Sequence, residues 1–477
     1  MRRTLSVLIA LSLPLAACGG GGSGSVVAGG GSAGGSTPTP TAAGCTLAER
    51  QSWAAAQLNE WYLFPETLPT SLSTAGYSDL TSYVDALTAT ARAQGKDRYF
   101  TYVTSIAEEN AYYNSGASAG FGFRLYLNGN RLFSAETFEG TSALSAGIDR
   151  GTEILAIGTS EATLRNVSDI IASSGSAGLT DALGPSTAGT TRALRVTDAT
   201  GTRVVTISKT DYTLTPVSSR YGAKIIDDGG HRVGYVNLRT FINTAETPLR
   251  NAFASFKAAG VTEIIVDVRY NGGGLVSIAE LMGNLMGANR TSSDVFDKMT
   301  FRSSKSSNNT TAYFAAQTQS VAPTKIAFIG TSSTASASEL VAAAMLPYLG
   351  NNLALVGGNT YGKPVGQIAV DKTACDDRFR IIAFALQNRD NQGAYYTGLA
   401  SLIPNTCKAA DDIAYPMGDA REASTRAALD FIEGKTCTPI TATASALAKT
   451  TAQAAIERAP LTPTQPSVPQ RDVPGLF

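Results

Sequence analysis

The period of the apolar positions changes several times along the chain, and each change marks a different kind of element. Leu5 to Leu13 is one unbroken apolar run. From 45 to about 105 the spacing is helical. Thr46-Leu47-Ala48-Glu49 is a capping box, Trp53, Leu58 and Trp61 can share one face, and Pro65 closes that helix. Asp79 to Ala91 predicts a second helix. Between about 106 and 212 the period shortens to that of strands broken by Gly, Asn and Asp turns: Gly120-Phe121-Gly122-Phe123-Arg124-Leu125, Arg131 to Phe133, Glu153 to Ile157 and Arg203 to Ile207. From about 213 to 440 strands and helices alternate, which predicts an α/β core. Its strands are Arg232–Leu238, Thr262–Arg269, Lys325–Ile329 and Leu353–Gly357. Helices begin near Thr247, Val276 and Ser336. Beyond 440 the chain is rich in Ala, Thr and Pro, and this composition predicts a largely disordered tail over 441–477.

Three of the core strands run into Gly- or Ser-rich loops, which would gather at one edge of a sheet. The first holds Tyr270-Asn271-Gly272-Gly273-Gly274, the second ends at Ser336-Ala337-Ser338-Glu339, and the third is Asn359-Thr360-Tyr361-Gly362-Lys363. Ser336 stands where a helix begins, so free N–H groups and the positive dipole end would face its oxygen. Ser336 with Glu339 is equally a capping box, and taken alone that structural role outweighs a nucleophile. Glycine lets backbone N–H groups approach a reacting carbonyl, so Gly272 or Gly273 and Ala337 are candidate oxyanion donors. On its own the triple glycine is no more than a tight turn. Its spacing is neither Walker nor Rossmann.

Composition narrows the chemistry. The chain has 477 residues, enough for two or three domains. Its 38 basic and 38 acidic residues cancel, which argues against nucleic acid and a polybasic membrane patch. The one histidine, His231, sits in a predicted hairpin turn, so a Ser-His-Asp triad or a multi-histidine metal site is excluded. A nucleophilic serine would then need a lysine or carboxylate as base. Lys363 is the candidate, provided burial lowers its pKa, and Gln367 could orient its amine. Arg2 and Arg3, the apolar run, and Leu15-Ala16-Ala17-Cys18 make an export signal. The run is too short to be a stable transmembrane helix. Four cysteines remain after Cys18: Cys45, Cys375, Cys407 and Cys437. In an exported protein this even count suggests two disulfides in one of three pairings. Cys45–Cys437 would tie the ends of the folded region, leaving Cys375–Cys407 to close a loop.

Several of these motifs resemble known families. Leu15-Ala16-Ala17-Cys18 resembles a bacterial lipobox, which implies cleavage after residue 17 and lipid on Cys18. A Gly/Ser/Thr/Pro-rich tether over 18–44 follows. Gly19 after the cysteine implies the outer membrane, facing the periplasm. Gly120-Phe121-Gly122-Phe123 resembles the carboxylate-binding loop of PDZ domains, as does Ala143 to Ile157, where Glu153 stands at a position more often Asp. Asp267-Val268-Arg269-Tyr270-Asn271-Gly272-Gly273-Gly274, then Ser336-Ala337-Ser338-Glu339, then Gly362-Lys363 with Gln367, resembles the C-terminal processing (tail-specific) serine peptidases over about residues 100–405.

That resemblance implies a multidomain α+β protein. It would have an N-terminal helical segment (45–105), a PDZ-like peptide-binding domain (106–212) and a crotonase/ClpP-like α/β peptidase core (213–440). Ser336 would be the nucleophile, Lys363 the general base and Gln367 the third member, with no metal or organic cofactor. The substrates would be proteins or peptides with free C-termini. A related branch places an aspartate eleven residues after the serine; here that position is Pro347. Pro364 also departs from the family, which usually has glycine there, and the Gly350-Asn351-Asn352 region lengthens the segment between Ser336 and Lys363. Two other classes fit parts of the pattern: a PDZ-type binding lipoprotein that cleaves nothing, and a crotonase-like acyl-CoA enzyme, against which the export signal argues. Finally, the chain ends in Gly475-Leu476-Phe477, the kind of apolar C-terminus a PDZ groove takes, so the tail is a candidate occupant of its own or a neighbour's groove.

Overall fold

The computed structural model describes residues 42–441 and 459–477. The signal segment, Cys18, the tether as far as 41 and the stretch 442–458 lie outside the described residues. No helix among the described residues is long and apolar enough to cross a membrane.

The centre of the core is a six-stranded sheet. Its strands, in spatial order, are Ala223–Asp228, His231–Asn237, Glu263–Asp267, Lys325–Gly330, Leu353–Gly357 and Asn405–Lys408. The first pairs antiparallel with its neighbour and the other five run parallel. Parallel strands need crossovers and cover on both faces, which is why they read as continuous apolar runs such as Ile264-Ile265-Val266. One face is covered by the helices Glu246–Ala258, Val276–Leu285 and Ala337–Leu349. The other is covered by Ala423–Ile432. All five parallel strands therefore end on the same edge, and the loops carrying Gly272, Ser336 and Lys363 meet there.

His231 opens its strand, at the opposite end of the sheet from that edge. Its Nδ1 lies 2.6 Å from Glu263 Oε2. The Gly350–Asn352 insertion forms a single turn after the serine helix. That helix has 13 residues, which sets the insertion about 20 Å from Ser336. Pro364 is likewise accommodated: it precedes the strand Val365–Lys372, and its carbonyl accepts the Leu386 N–H at 2.9 Å.

A second sheet joins Val295–Phe301, Thr310–Tyr313, Val365–Lys372, Asp377–Gln387 and Tyr102–Ser105. The N-terminal helices Leu47–Trp61 and Leu80–Leu87 pack on it through Leu58, Tyr62, Val84, Phe379 and Ile381. A β-rich unit, with strands from Phe123–Asn128 to Gly201–Ser208 and the helix Val167–Leu183, has its own apolar cluster around Phe121, Phe123, Ile154 and Leu194.

Two expectations are corrected. The disulfides are Cys45–Cys375 and Cys407–Cys437, with Cα–Cα separations of 5.5 and 5.3 Å. They are not Cys45–Cys437 and Cys375–Cys407. The first helix docks on the Asp377–Gln387 strand, as the Arg50–Asp377 pair at 2.6 Å shows, and this brings Cys45 to the turn before that strand. Cys407 lies in the last parallel strand, which the chain passes again after Ile432, where Lys408 N–H donates to Thr438 at 2.7 Å. The second correction is to the tail. Residues 459–477 are folded, with Leu461, Val468, Val473, Leu476 and Phe477 all buried. These apolar residues are too sparse to form a core among themselves, and they find partners only in the rest of the molecule.

Candidate active site

Ser336 occupies the N-cap of its helix at φ 56°, ψ −117°. A serine that only caps adopts extended backbone there. A positive φ in a non-glycine residue costs about 1–3 kcal/mol and persists where surrounding structure enforces it. The enforcement is visible. Leu340 N–H donates to Ser336 O at 2.8 Å, Ala335 N–H to Asn271 O at 3.1 Å, and Ser338 Oγ to Asn271 O at 3.0 Å. This backbone sets Ser336 apart from an ordinary cap.

Asn271 also arranges the glycine loop. Its Oδ1 takes the Gly273 N–H at 2.9 Å, so that donor is spent within the loop, whereas the Gly272 N–H donates to the Asp472 carbonyl of the tail at 2.8 Å. Gly273 lies directly against the serine: a Cβ there would come within 2.8 Å of Ser336 Cβ. Of the two glycines proposed as oxyanion donors, then, Gly272 can act and Gly273 provides clearance. The Ala337 N–H makes no hydrogen bond among the described residues.

Glu339, fully buried, links the two loops. It accepts the Ser336 N–H at 2.9 Å, Thr360 Oγ1 at 2.6 Å, and the N–H groups of Gly362 and Lys363 at 2.7 Å each. Burial pushes its carboxyl above the usual carboxylate range, while the four donors oppose that shift. In the sequence Glu339 reads as the partner in a capping box. Here the same carboxylate also fastens the lysine loop to the serine.

Lys363 is partly buried, and desolvation of its ammonium brings its pKa down to about 8, with Asp472 acting in the opposite direction. Its Nζ donates to Gln367 Oε1 at 3.0 Å and stands 5.0 Å from the centre of the Phe100 ring. Gln367 Nε2 donates in turn to the Phe100 carbonyl, which orients the amide oxygen toward the lysine. Arg98 Nη2 holds the Tyr361 and Gly362 carbonyls at 2.5 Å each. The aromatic and polar run of residues 96–102 thus borders the site. No Lys363–Ser336 hydrogen bond forms among the described residues. A lysine with a lowered pKa, its loop tied through Glu339 to a strained serine next to the unpaired Ala337 N–H, can do acyl-transfer chemistry without histidine.

The loop Gly120-Phe121-Gly122-Phe123 lies on the β-rich unit. Its Gly122 and Phe123 N–H groups donate to the carboxyl oxygen of the chain's last residue, Phe477, at 2.9 and 3.3 Å. Sequence reasoning missed two residues that connect this loop to the site. Arg124, fully buried, donates to the Tyr270 carbonyl at 2.7 Å and the Pro474 carbonyl at 3.2 Å while paired with Glu136. Asp472 places its carbonyl oxygen 2.8 Å from Gly272 N. The only signal for Arg124 is a charge inside an otherwise apolar strand; Asp472 carries none.

Residues 232–392 match the model of peptidase family S41. No curated protein matches the chain. Among solved structures, one of a Bacteroides fragilis protein assigned as an S41 protease is similar at 20% identity, with a TM-score of 0.61; the match covers 80% of this chain and 97% of that one. The photosystem II D1 C-terminal processing protease is similar at 19% identity over 75% of this chain and 91% of that one, with a TM-score of 0.44. The first of these establishes a shared fold.

Proposed function

We propose that this protein is a serine endopeptidase that captures the C-terminus of an exported protein or peptide and cleaves a bond upstream of it. The observation that carries this reading is the strained Ser336 tied through Glu339 to the loop of Lys363. In the proposed reaction Ser336 Oγ attacks the peptide carbonyl and Lys363 Nζ accepts its proton. The Gly272 and Ala337 N–H groups stabilise the oxyanion, and Gln367 holds the lysine amine. Lys363 then returns the proton to the leaving amine, and water hydrolyses the acyl-enzyme. The β-rich unit acts as a PDZ-like module, and the Gly122 and Phe123 N–H groups facing a terminal carboxyl support that assignment. The two disulfides support an oxidising compartment, consistent with a lipid anchor at Cys18 on the outer membrane facing the periplasm.

The test is labelling with a fluorophosphonate probe beside cleavage of an unfolded protein substrate, in the parent chain and in Ser336→Ala and Lys363→Ala. Labelling and cleavage by the parent alone are expected. One observation favours a second reading, a peptide-binding protein without catalysis: Lys363 donates to Gln367 and not to Ser336. Peptide binding with neither labelling nor cleavage would select it.

A further inference from the structure

The chain's last residues lie along both parts of the proposed site in a single path. Leu476 forms an isolated antiparallel bridge with Arg124 that Phe477 extends: the Phe477 N–H donates to Phe123 O at 3.0 Å, and its carboxyl oxygen accepts the Gly122 and Phe123 N–H groups. Leu125 N–H donates to Gly475 O at 2.7 Å, and Leu461 N–H to Leu125 O at 2.9 Å. Together the tail's two ends cover the free edge of the Phe123–Asn128 strand. The Phe477 ring enters the apolar cluster of Phe121 and Phe123. Gly120 is shaped for this end group, because a Cβ there would come within 2.8 Å of the Phe477 carboxyl carbon.

Upstream, the segment crosses the other half of the site. Asp472 O accepts the Gly272 N–H, the candidate oxyanion donor, and a Cβ at Gly272 would come within 2.4 Å of Arg471 O. Arg471 Nη1 reaches Tyr99 O at 3.2 Å, and Asp472 lies near Lys363. The carbonyl in the oxyanion position is thus five residues from the C-terminus. The backbone at that carbonyl is not in a cleavable form. Val468–Asp472 is helical, and the Val473 N–H, the leaving nitrogen, donates to Pro469 O at 2.8 Å. Peptides are attacked in extended form, and a nitrogen whose N–H is held within a helical turn is poorly placed to receive the lysine's proton.

We propose that residues 468–477 are an internal pseudosubstrate. They fill the peptide groove and the oxyanion position of their own chain, and an incoming C-terminus ending in a bulky apolar residue must displace them. The peptidase part of this statement rests on the function proposed above; the occupancy does not. The test therefore begins with binding, in chains carrying Ser336→Ala. A fluorescent peptide ending in Val-Pro-Gly-Leu-Phe with a free carboxylate is titrated against three forms: the otherwise intact chain, the chain ending at Ser467, and the intact-length Phe477→Asp variant.

Binding at least tenfold tighter to both altered forms, and lost when the peptide is amidated, is the expected result. Equal affinity for all three overturns the proposal. The Phe477→Asp form keeps the buried Val468 and Val473, so the test survives if the shortened chain fails to fold. With Ser336 restored, the same alterations should raise probe labelling and substrate cleavage at least tenfold, and the peptide supplied in trans should compete with substrate. Unchanged rates in a chain that does cleave overturn the pseudosubstrate role. If no form labels or cleaves while the binding difference stands, occupancy is upheld and the peptidase reading fails.

Discussion

As the proposed base, Lys363 would set the pH dependence. Its pKa of about 8 means that roughly a tenth of the molecules hold a neutral amine at pH 7. Only the neutral amine accepts a proton, so kcat/KM should rise about tenfold from pH 6 to 7 and level off above pH 8. A flat profile from 6 to 9 would remove Lys363 as the base. Glu339 makes a second residue-scale prediction. Glu339→Gln replaces one acceptor oxygen with an NH2 that faces donors, leaving at least one of the Ser336, Thr360, Gly362 and Lys363 donors unpaired in a buried site. The expected cost is about 1–3 kcal/mol by chemical denaturation. Because the lysine loop is released from the serine, kcat should fall at least tenfold with little change in peptide affinity. Loss of stability alone, with kcat intact, would show that Glu339 merely caps the helix.

At the scale of elements, the Cys45–Cys375 bond fastens the N-terminal helix to the turn between Val365–Lys372 and Asp377–Gln387, and the first of those strands carries Gln367. Peptide mapping should return the pairs 45–375 and 407–437. Cys45→Ser with Cys375→Ser should lower stability by about 2–5 kcal/mol. What was legible in the sequence follows from the same geometry. The central strands could be read because parallel strands buried on both faces are short apolar runs, and Leu353–Gly357 is bounded as expected. The second sheet could not, because strands such as Val365–Lys372 alternate exposure irregularly around a bulge at Gly366–Gln367. Ser336, Lys363 and Gln367 were legible through the order of three motifs. Arg124 and Asn271 were not, since their roles lie in contacts across long stretches of chain. The disulfide pairing failed for a related reason: joining the ends of the folded region takes no account of where the first helix docks.

At the scale of the whole molecule, the tail makes access to the site depend on pH through Asp472. Burial raises its carboxyl from 3.8 to about 6, and the nearby Lys363 charge opposes this. The other groups facing it are Glu109, Tyr112 and Tyr113 from the helix Ile106–Ser115, Tyr102 and Arg380 from the strands Tyr102–Ser105 and Asp377–Gln387, and the neighbouring Arg471 of the tail itself. A carboxyl whose pKa is higher in the docked state favours docking when protonated. Its contribution is therefore complete below about pH 4 and is lost as pH rises through 6. Lys363 keeps its charge throughout that window, so it does not reverse the sign. The affinity of the Ser336→Ala chain for a peptide ending in Val-Pro-Gly-Leu-Phe should accordingly increase from pH 4.5 to 7, by up to about 25-fold if the whole shift belongs to docking. Asp472→Asn keeps the shape and removes the titration. It should make the affinity nearly flat with pH and, at pH 7, weaker than in the chain that keeps Asp472, because the neutral side chain holds the tail in place. The same pH slope with and without Asp472 would place the titrating group elsewhere, and a slope of opposite sign would mean that the charged carboxylate, paired with Lys363, is what docks the tail.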